Sequence, residues 1–228
     1  MKIGILQTGQ APEPLRPAGD YPDLFARLLA GHGFDFASWH VEGGEFPASV
    51  HDADAWLITG SRHGVYEDHA WIPRLEGFIR AARDAGVPMA GICFGHQIMA
   101  RALGGRVEKY AGGWAVGPTD YDFDGQRLRL NAWHQDQVTA PPPGARTIAT
   151  NDFCAHAGLS YGDWGLSVQA HPEFDDAFVK GLIDTRGRGK VPDAQLDAAL
   201  DRLGAPIDSA RIADRIAAFY KAARARAA

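Results

Sequence analysis

The chain has 228 residues, a formal charge of -5, and 46 % hydrophobic against 22 % charged residues. That is ordinary for a globular protein with a substantial core, and the absence of a basic cluster argues against a nucleic-acid surface. No apolar run reaches the roughly 18 residues of a membrane span. The two cysteines make no disulfide framework.

In chain order, Lys2 to Gln7 reads as a first strand, not a secretory signal, because its apolar stretch is very short. Thr8 to Asp20, with Pro12, Pro14 and Pro17, reads as loop. Asp20 to Ala30 places Leu24, Phe25, Leu28 and Leu29 on one side of a helix closed by Gly31 or Gly33. Phe34 to Trp39 and Ala55 to Thr59 read as strands, and Trp71 to Ala85 as a helix that Glu67 and Asp68 help to cap. Val87 to Ile92 is a short unalternating apolar run suited to a buried parallel strand, followed by an amphipathic helix from His96 to Leu103. This repetition indicates an α/β fold: an open, mostly parallel twisted sheet with helices on both faces. Gly4 and Gly9 lack the spacing of a dinucleotide fingerprint, and no phosphate-binding Gly-Lys-Ser/Thr loop occurs.

After Gly105 the segments shorten. Arg106 to Tyr110, Trp114 to Thr119, Leu128 to Trp133, Thr147 to Asn151 and Leu166 to Gln169 read as an antiparallel extension of one side of the sheet. Pro141, Pro142, Pro143 and Gly144 make a stiff turn. Phe174 to Ile183 reads as helical, Arg186 to Val191 as a glycine-rich break, and helices follow over Asp193 to Leu203 and Asp208 to Ala225. Lys221 to Ala228 reads as a fraying tail. No internal repeat occurs, and the whole reads as one domain over 1–228, with a core of 1–185 and C-terminal helices within 193–225.

Cys93 ends the Val87 to Ile92 run, between Gly91 and Gly95. Glycines there permit a sharp strand-to-helix turn that exposes a side chain above the sheet, and the positive end of the next helix favours a thiolate. A small buried hydrophobe at a strand end is the competing reading. The run from Gly165 to Glu173 is again a short apolar strand, ending at His171 and Glu173. Thiol, imidazole and carboxylate at strand ends of one sheet form a nucleophile–base–orienter set. His134, Asp136, His171 and Glu173 are of metal-ligating types but lack compact spacing, so no metal and no cofactor is expected.

GICFGHQ and QAHPE resemble the two signatures of the class I, triad-type glutamine amidotransferases. Thr59, Gly60 and Ser61, followed by Val65 to Asp68, resemble the same family's oxyanion loop. The matches run in order from about Ile3 to Glu173. They look closest to the amidotransferase domain of guanylate synthetases and its free-standing homologues, with a flavodoxin-like core. The resemblance implies Cys93 as nucleophile, His171 as base and Glu173 as its orienter, with the Gly60 and Phe94 N–H groups as oxyanion hole. It implies that Gln97 holds the substrate's amino-acid head group. It also implies that the main chain at Ala132 and Trp133 binds the head group, although the family usually has a methionine–serine pair there. Arg62 and His63 replace small polar residues at the expected mouth and suit an acidic substrate group. His96 reads as a structural neighbour, Cys154 as packing, and His156 as exposed or on the site rim.

The expected chemistry is hydrolysis of a γ-glutamyl amide through a γ-glutamyl thioester, on free glutamine or a larger γ-glutamyl conjugate. A stand-alone γ-glutamyl hydrolase is the leading reading, since no synthetase domain is recognised. A glutaminase subunit delivering ammonia to a synthetase partner and a silent scaffold are the alternatives. A reduced nucleophilic thiol suits the cytoplasm.

Overall fold

The computed structural model describes residues 1–227. These form eleven strands and six α-helices, in the order β1 (Lys2–Gln7), α1 (Tyr21–Leu28), β2 (Asp35–His40), β3 (Ala55–Ile58), α2 (Trp71–Asp84), β4 (Met89–Ile92) and α3 (Phe94–Ala102). Then come β5 (Arg106–Lys109), β6 (Ala115–Phe123), β7 (Gln126–His134), β8 (Asp136–Ala140), β9 (Arg146–Thr150), β10 (Gly158–Tyr161) and β11 (Gly165–Val168), followed by α4 (Asp176–Leu182), α5 (Asp193–Leu200) and α6 (Ser209–Ala227).

Nine strands make one sheet in the order β2-β1-β3-β4-β11-β10-β9-β6-β7. The pairs from β2 to β11 are parallel, and the remaining pairs, β11 to β7, are antiparallel. The period of two in a strand explains how both faces are covered. Ile3, Ile5, Ala55, Leu57, Ala90 and Ile92 face one layer with Phe25 of α1 and Ile212, Ile216 and Tyr220 of α6. Leu6, Trp56, Ile58 and Met89 face the other with Ile72, Leu75 and Ile79 of α2 and Phe94, Ile98 and Met99 of α3. Tyr220 also donates its hydroxyl to the Trp56 carbonyl at 2.8 Å, tying α6 to the sheet.

Several details depart from the sequence reading. Arg106 to Lys109 does not extend the sheet; it pairs with β8 in a separate two-stranded ladder. The strand Gly165 to Val168 belongs to the parallel centre beside β4, with only its other edge antiparallel. The segment Glu13–Ala18 is a short 3-10 helix inside the expected loop, since proline at its start fixes φ and lacks only an N–H that would be unpaired anyway. Strands β8 and β10 were unread. The break after α4 holds a π-turn, Ile183–Gly187. Lys221 to Ala227 continues α6 rather than fraying, and Ala228 lies outside the described residues.

The turn from β4 to α3 positions everything else. Helix α3 begins at Phe94, immediately after Cys93 and two residues before the expected start. Cys93 sits at φ 53°, ψ -103°, a strained conformation for a residue with a Cβ. Such strain is on the order of 1–3 kcal/mol and persists only where surrounding structure enforces it. Here the Cys93 N–H donates to the Val168 carbonyl at 2.9 Å and the Gly95 N–H to the Thr59 carbonyl at 3.1 Å. The backbones at Gly91 and Gly95 pass so close that a Cβ on Gly91 would lie 2.5 Å from the Gly95 carbonyl carbon, and one on Gly95 would run into Ile58. Glycine at both positions is therefore a packing requirement.

Candidate active site

Strand ends β3, β4 and β11 bring Thr59–Gly60, Cys93 and His171 to one edge of the parallel sheet, where ligands bind in open α/β folds. His171 is 3 % exposed. Its main-chain N–H donates to the Asn131 carbonyl at 2.8 Å, and its ring stacks on Phe174 with centroids 4.0 Å apart and planes 6° from parallel. Nδ1 lies 2.6 Å from Glu173 Oε1, and the Glu173 side chain is 1 % exposed. With Nδ1 held by Glu173, Nε2 is the nitrogen left for proton transfer. Burial works against the imidazolium, but the negative charges of Glu173 and then of Cys93 outweigh it and hold the His171 pKa up at about 10.

Gly60 completes the arrangement. A Cβ placed on it would lie 3.0 Å from His171 Cε1 and 3.8 Å from Cys93 Cβ, so this glycine touches both side chains. The Thr59 carbonyl is engaged by the Gly95 N–H at 3.1 Å and lies 2.9 Å from the Thr8 hydroxyl. Because that peptide is trans, the Gly60 N–H points the opposite way from these partners. The Phe94 N–H is the first of α3 and has no intrahelical acceptor. Among the described residues, neither of these two backbone donors beside Cys93 has a hydrogen-bond acceptor.

Around this centre lies a cleft of about 220 Å³, lined by Cys93, His171, Gln97, Trp133 and His134 together with Arg62 and His63. Gln97 is 3 % exposed, and its amide nitrogen donates to the Asp136 carbonyl at 2.9 Å and to Gln169 Oε1 at 3.1 Å. Its nitrogen is committed to the scaffold, which leaves only its oxygen for a substrate head group. Ala132 is wholly buried, whereas the Trp133 carbonyl lies 4.0 Å from Cys93 Sγ and its ring lines the cleft.

Arg62 and His63 reach the mouth but are not free basic groups. Arg62 Nη2 pairs with Glu42 Oε1 at 3.2 Å, and His63 lies between Glu42 Oε1 at 3.1 Å and Glu67 Oε2 at 2.7 Å. The acidic partners cancel the charge expected to select an acidic substrate, and Glu42 is 20 residues away in sequence. Glu67 does not cap α2 either, for the N-cap position is Ala70 and no side chain caps that helix. Burial opposes its ionisation, but the Gly64 N–H and the rings of His63 and His69 prevail and lower its pKa.

His96 is fully buried, its Nδ1 2.8 Å from Ser167 Oγ, and burial first of all drives its pKa down to about 3. It is a neutral structural group. His134 is likewise held neutral, down at about 3, first by burial and then by the positive His171. Cys154 is 1 % exposed and burial pushes its thiol up to about 12, as befits packing. His156 is part-buried, with Nδ1 2.8 Å from Thr147 Oγ1, and does not line the cleft. Asp136 does line it, and burial raises its carboxyl despite a hydrogen bond from Tyr66.

Sequence reasoning missed Trp114, Lys109, Lys190 and Tyr21, which also line the cleft. Trp114 and Trp133 lie with ring centroids 6.2 Å apart. Lys109 and Lys190 make no salt bridge among the described residues. Nothing in their local sequence marks them, because they arrive from four separate segments: α1, β5, the loop before β6 and the segment between α4 and α5.

This strand–turn–helix site lies on the parallel part of the sheet of an α/β protein. The chain belongs to the family Glutamine amidotransferase class-I, whose model matches residues 37–177. It is 32 % identical over 182 residues to Gamma-glutamyl peptidase 4 of Arabidopsis thaliana, covering 73 % of this chain and 72 % of that protein. It is 36 % identical over 167 residues to GMP synthase [glutamine-hydrolyzing] of Thermus thermophilus, covering 68 % of this chain and 32 % of that protein. The crystal structure of a glutamine amido transferase from Methylobacillus Flagellatus superposes with a TM-score of 0.78 at 22 % identity, covering 97 % of this chain and 94 % of that one, which bears on the fold alone. No helix among the described residues is long and apolar enough to cross a membrane.

Proposed function

We propose that this protein hydrolyses a γ-glutamyl amide with Cys93 as nucleophile, His171 as general acid–base and Glu173 as the carboxylate that orients it. The observation that carries the reading is the buried His171 ring, charged by its neighbours and held by Glu173 on one nitrogen. Cys93 Sγ attacks the γ-carbonyl carbon, and the N–H groups of Gly60 and Phe94 stabilise the oxyanion. Donors of this kind supply about 3–4 kcal/mol each. The His171 imidazolium gives its proton to the departing nitrogen as the C–N bond breaks, leaving a γ-glutamyl thioester. Neutral His171 then takes a proton from water, whose oxygen attacks the thioester, and glutamate leaves as the thiolate is restored.

A stand-alone hydrolase acting on a γ-glutamyl conjugate larger than glutamine is the form we favour. Trp114 and Trp133 offer an aromatic wall, and Lys109 and Lys190 offer positive charge, to the group that leaves with the nitrogen. The similarity to γ-glutamyl peptidases supports the same form, whereas the similarity to GMP synthase supports the second reading, a glutaminase serving a synthetase partner. A panel of glutamine and γ-glutamyl amides and peptides, assayed with and without cell extract, separates the two. Stand-alone action gives kcat/KM of about 10⁴ M⁻¹s⁻¹ or better on one conjugate, without further activation by extract. Purified protein that is inert on the panel but releases ammonia from glutamine once a synthetase is added overturns it. Cys93→Ala abolishes turnover in either case, and a fully active variant refutes the whole assignment.

A further inference from the structure

At the mouth of the cleft, His63, Glu67 and His69 each bring one potential ligand atom within 4.8 Å of the other two. His63 Nδ1 is 2.7 Å and His69 Nε2 2.9 Å from the same oxygen, Glu67 Oε2. The two rings meet edge to face with centroids 4.2 Å apart. The other groups are held in place from behind. Gly64 donates its N–H to Glu67 Oε1 at 2.8 Å, and His63 Nε2 lies 3.1 Å from Glu42 Oε1.

A neutral imidazole has one N–H and one lone pair. His63 Nε2 faces both Glu42 Oε1 at 3.1 Å and the Arg62 Nε–H at 3.3 Å, so the partner it takes decides which ring nitrogen is left bare. If Nε2–H donates to Glu42, Nδ1 is the bare nitrogen facing Glu67, as in the carboxylate–histidine–metal arrangement that fixes a ligand's tautomer. Metal–nitrogen and metal–oxygen bonds of about 2.0–2.2 Å set neighbouring ligand atoms about 3.3 Å apart in a tetrahedron. The two nitrogen–oxygen separations, 2.7 and 2.9 Å, would open by about half an ångström to reach it.

From this geometry we infer that His63, Glu67 and His69 bind a divalent transition metal of the zinc type, with Glu42 fixing the His63 ring. Imidazole and carboxylate suit zinc, cobalt and nickel better than magnesium or calcium. Three protein ligands leave a coordination position open, and His63 and Glu67 both line the cleft that holds Cys93. The bound ion ties residues 63–69 into a rigid rim of that cleft. The expectation of no metal rested on His134, Asp136, His171 and Glu173, whereas these ligands lie in the loop before α2.

The site is tested with Co²⁺ and Zn²⁺ in the Cys93→Ala background, so that the nucleophile cannot supply a ligand. We expect one equivalent of Co²⁺ to bind with a visible d–d spectrum, without thiolate-to-metal charge transfer, and to be displaced by Zn²⁺. His69→Ala weakens binding at least tenfold, and Glu42→Gln by about 10- to 100-fold. His69→Cys in the same background restores binding and adds the thiolate charge-transfer band, which a merely structural role for His69 would not produce. His69 is part-exposed and outside the cleft lining, so with Cys93 intact His69→Ala retains metal-free hydrolysis. Absence of a stoichiometric Co²⁺ spectrum, or binding indifferent to His69→Ala and Glu42→Gln, overturns the inference and assigns the cluster to hydrogen bonding among its own side chains.

Discussion

Gly60→Ala tests the placing of His171, the side chain its new Cβ would meet first. The substitution keeps the N–H of residue 60, and the glycine's own φ lies outside the left-handed region, so backbone strain is not introduced. The new Cβ, however, falls 3.0 Å from His171 Cε1, against an ordinary contact of 3.4–4 Å. The ring has to yield by roughly half an ångström, and it cannot slide freely. Phe174 lies under its face at 4.0 Å, Glu173 holds Nδ1 at 2.6 Å, and Asn131 holds its main chain at 2.8 Å. Misplacing a catalytic group by about 1 Å costs about 100-fold in rate, so half that displacement predicts a loss of about 10- to 30-fold in kcat with KM nearly unchanged. Overpacking of this kind costs about 1–3 kcal/mol of stability. The assay is steady-state hydrolysis of a γ-glutamyl anilide, with calorimetric melting run beside it. A variant with wild-type kcat and wild-type melting refutes the contact of Gly60 with a working His171.

Four further outcomes follow from the same structure. The His171 pKa is raised from an ordinary 6.5 to about 10, so its contribution to stability is fully present below about pH 6.5 and is lost as pH rises through 10. Urea titrations at pH 6, 8 and 10 should show this loss in the wild type and a smaller one in Glu173→Gln; equal slopes contradict the charge pairing. Glu173→Gln also lowers kcat less than His171→Ala, because Glu173 orients and does not carry the proton; an equal or larger loss in a folded variant reverses those roles. Iodoacetamide at pH 7.5 should label Cys93 and leave Cys154 intact, since burial pushes the latter's thiol up to about 12, and peptide mass mapping that finds Cys154 alkylated in the native protein contradicts that burial. Finally, Lys109→Ala with Lys190→Ala raises KM for γ-glutamyl peptides bearing a free carboxylate but not for glutamine, and a parallel rise for both removes these lysines from leaving-group recognition.

The strand-to-helix corner at Cys93 was legible because its determinants are local: an apolar run, a thiol, and glycines two residues to either side. The pairing of His171 with Glu173 was legible for the same reason, as the two are separated by a single proline. Helix boundaries moved by a residue or two where caps and turns decided them, as at Phe94, which starts α3 only because tertiary hydrogen bonds hold Cys93 in its strained conformation. What the local string could not carry was pairing over distance. Arg62 and His63 look like free basic groups until folding places Glu42 against them. Gln97 looks available for substrate until Asp136 and Gln169, from two other segments, take its nitrogen. Residues 106–109 look like one more strand of the sheet, yet they pair with β8 because β6 has β7 and β9 as its partners. Composition and periodicity determine which faces are buried, since apolar burial needs no particular partner. Which charge meets which, and which hydrogen bond is already taken, depends on directional contacts between distant segments, and only the packed chain decides them.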